Sequence, residues 1–424
     1  MIRANDPNLH SWIQISPTSD FPIQNLPFGI FSTETHDPRV GVAIGEYVLD
    51  LCAVSQHGLF DLLSLEDHTI FQAETLNRFI ALGKPVWREV RERVSELLRN
   101  NNPELRDNDQ LMKACLVKKQ AVTMHLPVNI PNYTNFNASI DHATNIGMLL
   151  PDSSNALFPN WKHLPVGYYN RASSIKVSGQ PIFRPQGPLI DSETGFPAFK
   201  PTQELDFELE IAFITGRATD LGSYVLTDEA DDYIFGLVLL NNWSARDILR
   251  WENAASSPFL GKSFASSVSP WVVTLDALEP FRLPGPIQEH KVLPHLQYDG
   301  QKHLDISLKV YLQPENGESL LVCRTNTRNL YWNLNQLLAH QTSNGCNIQI
   351  GDLYASGAIS GSEPDSFGSL LELTWHGAKP LTLPNGAIRQ YLQNGDSILI
   401  KGYAERNNIR IGFGELCTKI FPTL

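Results

Sequence analysis

Cysteine is scarce in this chain. Five occur in 424 residues (Cys52, Cys115, Cys323, Cys346 and Cys417), and no two stand as a C-x-x-C pair. Their odd number and scatter exclude a disulfide framework and a zinc ribbon, and reduced thiols of this kind point to the cytoplasm. Basic runs are also missing. Lys and Arg number 33 against 45 Asp and Glu, a formal charge of −12, so the counterion-displacing face that a nucleic-acid partner requires is not expected. No apolar run approaches the ~18–20 residues of a membrane span. The longest candidate, 234–240, reads as a buried strand. The first residues are polar, with Arg3 and Asp6 and no apolar run behind them, so no secretory leader is expected. The sequence has no G-x-S-x-G elbow and no H-E-x-x-H pair, which excludes the commonest serine hydrolases and zinc proteases. Gly261-Lys262-Ser263 ends like a phosphate loop, but Ser256 stands where that loop needs its first glycine.

What remains suits a globular enzyme. Hydrophobic residues make up 42% and charged residues 18%, a balance that buries a core without disorder, and the length suits two or three domains. Residues 11–52 read as short strands, with a hairpin expected at Gly45-Glu46. Residues 74–99 take helical spacing: Val86, Val90, Val94 and Leu97 recur on one face. Asn100-Asn101-Asn102-Pro103 reads as the stop. Beyond a boundary near 118–130, Pro, Gly and Asn become frequent and helical periodicity fades. The remainder reads as mostly β with one clear short helix.

Five segments could carry chemistry. In Glu204-Leu-Asp-Phe-Glu-Leu-Glu, acids alternate with apolar residues. A strand puts alternate side chains on one face, ~6.5–7 Å apart. The row is either a solvated edge or a cation site, because crowded carboxylates need a cation or a proton between them. Second, Ser244 and Asp247 resemble a helix N-cap arrangement behind the apolar strand. Arg246, Leu249 and Asn253 would share one face of that helix, with Arg246 placed to meet an anion or oxyanion, or else a surface ion pair. Third, Lys262 is a candidate electrophile. Fourth, His142 sits alone in a loop rich in Tyr and Asn, where a histidine is commonly structural. Fifth, a small-residue loop at 356–361 leads to a strand carrying Glu372, whose plainest reading is turn chemistry and one exposed acid.

Taken together these segments resemble the fumarylacetoacetate hydrolase family. The matching stretches include His142-Ala-Thr-Asn, Leu205-Asp-Phe-Glu-Leu-Glu, Trp243-Ser-Ala-Arg-Asp, Pro258-Phe-Leu-Gly-Lys-Ser-Phe and Arg410-Ile-Gly-Phe-Gly, in order along nearly the whole chain. The resemblance implies a mainly β (α+β) protein. A small SH3-like β-barrel domain with a helical segment would occupy 1–127, and a mixed β-roll holding the active site 128–424, in a homodimer. It implies cleavage of a carbon–carbon bond beside a ketone, which needs a base, a Lewis acid and cationic electrophiles for an enolate. By motif His142 would be the base and Glu372 its orienting carboxylate. Arg246 and Lys262 would be the electrophiles. Glu208 and Glu210 would bind Ca²⁺ or Mg²⁺, and Tyr168 would line the pocket.

Several matched positions depart from the family's pattern. Two aspartates that complete the metal site are Asn135 and Asn242 here. Their carbonyls can still ligate, but without charge, so weakened divalent binding is expected. At the positions resembling substrate contacts, a Tyr becomes Asn137, an Arg becomes Pro151, a Gln becomes Leu249, a Tyr becomes Asn253 and a Thr becomes Ala358. Retained catalytic residue types with altered contacts point to a carbonyl substrate more apolar than fumarylacetoacetate. Two alternatives stay open at this point: a C–C bond-forming or rearranging enzyme of a specialised biosynthetic pathway, and an inactive dimeric paralogue.

Overall fold

A computed structural model describes residues 2–149, 156–191, 193–252 and 258–424. Pro151 and Asn253 lie outside the described residues.

The expected hairpin is present: strands Arg39–Ile44 and Tyr47–Asp50 pair antiparallel across a two-residue turn. Gly45 takes φ +52° there, a left-handed conformation that costs a glycine little. Three more strands, Leu116–Lys118, Phe28–Ser32 and Thr123–His125, complete a five-stranded antiparallel sheet. Leu51 leaves the strand one residue earlier than the β-rich spacing suggests. Asp50 accepts the Ala53 N–H at 3.1 Å and so caps the helix Leu51–Gln56.

The amphipathic stretch divides in two. A single turn, Asn77–Ile80, precedes a break at Gly83 (φ +85°), and the helix proper runs Lys84–Leu98. Val90, Val94 and Leu97 are buried as their spacing required, with Trp87 beside them. The asparagine-proline stop also begins something. Asn102 accepts the Glu104 N–H at 2.8 Å, and Pro103 opens the short helix Pro103–Arg106, because proline suits the first helical turn.

The second half is built on an eight-stranded mixed sheet centred on Leu209–Thr215 and Ile234–Asn242, paired antiparallel. Tyr133–Phe136 joins it parallel to Leu353–Ala355 and carries Gly167–Asn170 on its other edge. The two central strands are buried along both faces. Leu209, Ile211, Phe213, Leu237 and Leu239 face a second, five-stranded sheet. Ala212, Ile214, Phe235, Val238 and Leu240 face the N-terminal elements instead. Phe235 meets Trp87 edge-on at 5.1 Å and Phe28 at 5.8 Å, so aromatic packing ties the helix Lys84–Leu98 and the first sheet to the back of the central strands. This part of the chain contains more helix than its composition suggests. Ile140–Leu149 is helical, and Leu334–Thr342 is helical behind an Asn333/Gln336 capping box.

Candidate active site

The carboxylate row keeps its alternation but not its solvent. Leu205–Asp206 pairs with the two-residue strand Ser244–Ala245. The chain then steps past Phe207 and Glu208 into Leu209–Thr215. Asp206 and Glu210 are 0% exposed and Glu208 5%, which rules out a solvated edge. Burial of that many charges requires partners. Glu204, at the rim, pairs with Arg250. Asp206 meets the Arg246 guanidinium at 2.8 Å and accepts the N–H groups of Leu370 and Leu371 at 2.7 and 3.2 Å. Glu208 holds Arg246 Nη2 at 2.7 Å with one oxygen and the Lys262 ammonium with the other. Glu210 accepts both its bonds from Asn135 Nδ2, at 3.1 and 2.9 Å.

Arg246 opens the helix Arg246–Glu252, where the sequence placed it. The expected Ser244/Asp247 cap does not form. Ser244 belongs to the strand before the helix, and its hydroxyl accepts from Lys262 Nζ at 2.5 Å. Asp247 instead accepts the Gln203 N–H at 2.7 Å, tying the helix start to the chain before the acidic row. Lys262 reaches Glu208 from the short helix Leu260–Ser263. A Cβ on Gly261 would come within 2.9 Å of the backbone and side chain of Leu249. The glycine therefore permits the close packing that delivers Lys262. Leu249, buried at this contact, belongs to the wall that holds Lys262.

His142 lies in the first turn of the helix Ile140–Leu149 rather than in a loop. Glu372 lies on a four-residue helix, Leu370–Leu373, rather than on a strand, and is 1% exposed. His142 Nδ1 and Glu372 Oε2 are 2.8 Å apart. Burial raises the Glu372 carboxyl. The charge and hydrogen bond of His142, with bonds from Asn145 and Ser369, more than offset it and leave the acid below the usual carboxylate range.

The same short helix joins the two halves of the site. Its first N–H groups fix Asp206, the partner of Arg246, and its cap residue Ser369 forms a backbone bridge with Glu208. Asn145, Ser360 and Ser369 bond Glu372 directly and Ser244 bonds Lys262, contacts that the sequence did not reveal. For Ser369 the S-x-x-E pattern leading to Glu372 was available as a signal.

The four residues expected to hold a divalent cation come together, but as two carboxylates and two amides they suit one poorly. Asn135 and Asn242 both present N–H groups to carboxylates. Asn242 Nδ2 lies 3.3 Å from Glu208 and 3.0 Å from the Tyr168 hydroxyl, and its carbonyl is taken by Asn170 and Ser266. Both oxygens of Glu208 are already occupied by cations. Burial lifts Glu208, but Lys262 and Arg246 hold it down to about 2, whereas burial and the Glu208 charge push Glu210 up to about 8. Burial lowers Lys262 while Glu208 draws it back up. Among the described residues no group of three or more His, Cys, Asp or Glu side chains is arranged around a common metal position. Accordingly, calorimetry of the chelator-treated protein is expected to show no tight Ca²⁺ or Mg²⁺ binding, and an Asn135→Asp, Asn242→Asp double variant is expected to gain it. Equal, tight binding by both proteins would defeat this charge argument.

Of the altered contacts, Asn137 lies against Gly357, the chain neighbour of Ala358. Gly357, at φ +78°, brings its loop so close that a Cβ would lie 2.1 Å from the Phe136 carbonyl and 3.0 Å from Asn137 Cα. Tyr168 faces Asn242 across the sheet edge. An open cleft of about 810 Å³ between 128–133 and 169–175 shares Tyr133 and Asn170 with this region, but contains none of His142, Arg246, Lys262 or Glu372. The sequence-predicted site residues thus gather at the paired charges rather than in that cleft.

Known proteins share this chain's sequence pattern and fold. The family description "Fumarylacetoacetase N-terminal" matches residues 24–127, and "Fumarylacetoacetate (FAA) hydrolase C-terminal" matches 132–421. This chain belongs to the fumarylacetoacetate hydrolase family. It is 46% identical to fumarylacetoacetase of Homo sapiens and 46% identical to that of Arabidopsis thaliana. In each case the match covers 98% of this chain and 99% of the relative. Its fold also matches a fumarylacetoacetate hydrolase from psychrophilic Exiguobacterium antarcticum, with a TM-score of 0.53 at 18% identity over 94% of this chain and 99% of that one. The mainly β architecture expected of the family is thus present, and the chain is an enzyme of the C–C bond hydrolase class.

Proposed function

We propose that this enzyme hydrolyses the bond between a ketone and the carbon that leaves it as an enolate, on a diketone less anionic than fumarylacetoacetate. The observation that supports it best is the helix Leu370–Leu373, which positions a histidine base through Glu372 and a cationic pair through Asp206 and Glu208. In this reading His142 Nε2 takes a proton from water as the water oxygen attacks the ketone. The bond to the neighbouring carbon then breaks, its electron pair becomes the enolate, and the His142 proton returns to that carbon. Arg246 and Lys262 stabilise the negative charge as it develops, in a site dry enough to make them effective. A divalent cation would supply further Lewis acidity if bound, but the amide-lined cluster favours weak binding, and no step above depends on it. Leu249, Ala358 and Asn137, with Pro151 and Asn253 by sequence, offer no ionised side chain to a second carboxylate. The active unit in this proposal is a homodimer acting on a small carbonyl compound.

Formation of a C–C bond by the same residues would run the enolate chemistry in reverse. Product analysis separates the two directions. Incubation with a panel of uncharged 2,4-diketones is expected to give acid and ketone in equal amounts. Condensation products from an acid derivative and a ketone, without cleavage, would support the bond-forming alternative and overturn the hydrolytic one.

A further inference from the structure

The geometry points to Asn145 as a positioning residue for His142, acting through Glu372. This rests on the reading of His142 as the base. Glu372 accepts four hydrogen bonds, two on each oxygen. Oε2 takes His142 Nδ1 at 2.8 Å and the Ser369 hydroxyl at 2.7 Å. Oε1 takes the Ser360 hydroxyl at 2.8 Å and Asn145 Nδ2 at 2.9 Å. A carboxylate has about four acceptor sites, so this one is saturated. A saturated, buried carboxylate is fixed in orientation and stays an anion, so it holds the proton of His142 on Nδ1 and leaves Nε2 as the free lone pair.

The four donors do not have equal roles. Ser360 also accepts the Gly368 N–H at 2.9 Å, and Ser369 caps the helix that carries Glu372. Both have structural work of their own. The Asn145 side chain has no other hydrogen-bond partner among the described residues. It stands three residues after His142 on the same helix, so its amide and the imidazole grip opposite oxygens of one carboxylate from one rigid element. Without it, Oε1 loses its only donor from that helix. Glu372 can then rotate, and the imidazole is free to carry its proton on Nε2, the wrong atom for a base. The charged groups that face this pair are Glu208, which feels the charge of His142, and Arg246 and Asp141, which feel the charge of Glu372.

The test joins kinetics to a spectroscopic readout in the full-length protein. Asn145→Ala is expected to lower kcat about 10- to 100-fold with KM little changed, since misplacement of a catalytic group by an ångström has effects of that size. In ¹⁵N-histidine-labelled protein, the His142 signals, assigned by their loss in His142→Ala, should show the Nδ1–H tautomer in the parent. A mixture should appear in Asn145→Ala. Asn145→Asp keeps the side-chain volume but sets a second carboxylate against Glu372, and should move both readouts in the same direction. Should Asn145→Ala fail to fold, Asn145→Asp alone decides. Unchanged kcat with a pure Nδ1–H signal in the folded variants would overturn the assignment. Full activity in His142→Ala would refute the base itself, and the tautomer measurement would still decide whether Asn145 orients the ring.

Discussion

His142→Ala should reduce kcat by about 10²- to 10⁴-fold, the usual contribution of a general base positioned on the proton it removes. Glu372→Gln should come close to the same loss, because Glu372 acts only through the imidazole at 2.8 Å. A glutamine amide can present an N–H to Nδ1 and force the proton to the other nitrogen. The two effects should therefore fail to add: the double variant should be little worse than the poorer single one. The measurement is single-turnover cleavage of the best diketone from the panel by the parent, both singles and the double. Additive losses would mean that Glu372 has an independent role, and full activity in His142→Ala would move the chemistry to Lys262 and Arg246.

The second large effect concerns stability as well as rate. Arg246→Met leaves Asp206 buried without a counterion and Glu208 with Lys262 alone. Removing one partner of a buried pair typically costs about 3–5 kcal/mol, chiefly through the charge left behind. Arg246 is 9% exposed and its two carboxylate partners 0% and 5%, so solvent offers little relief. Urea unfolding of the variant should show a loss in that range. Arg246→Lys should recover only part of it, since one ammonium cannot reproduce a fork that touches two acids. The pH dependence has a definite sign. Glu208 is held at about 2 in the folded protein against an ordinary 4.5, so its stabilisation is complete above about 4.5 and is lost as pH falls toward 2. Without Arg246 both acids are held down less strongly, so the variant should lose less stability than the parent between pH 4.5 and 2, and its deficit should shrink on acidification. A loss below about 1 kcal/mol, with the same pH dependence as the parent, would show that the charges are better solvated than their burial indicates.

The sequence made some of this site readable and concealed the rest for physical reasons. The acidic row and Arg246 were readable because strand alternation and a strand-to-helix junction are local patterns. The burial of the row was not, since both faces of the segment are covered by residues far along the chain, Arg246, Lys262 and Asn135 among them. His142 looked like a loop residue because Asp141-His-Ala-Thr-Asn is polar. Its helix is held by packing and by the Ser139 hydroxyl, which accepts the His142 N–H at 3.3 Å. Glu372 looked like a strand residue because four residues are too few to show a helical period. In the first half, Val90, Val94 and Leu97 revealed their helix, while Gly83 and Pro103 show how one residue can end one element and begin another. The Ser244/Asp247 pattern misled because a longer-range partner, Lys262, claimed the hydroxyl first.

Substrate choice follows from the side chains at the matched contact positions. Five matched contact positions carry no ionised side chain, and both nearby cations are held by acids of the protein itself. The most direct test is a comparison of kcat/KM for fumarylacetoacetate with that for diketones of the same length bearing a neutral alkyl or aryl end. The expected result is a clear preference for the neutral end, with fumarylacetoacetate below about 10⁴ M⁻¹s⁻¹, the lower end for ordinary enzymes. A kcat/KM for fumarylacetoacetate at or above that value, and higher than for every neutral diketone, would contradict the account and assign the namesake reaction to this chain.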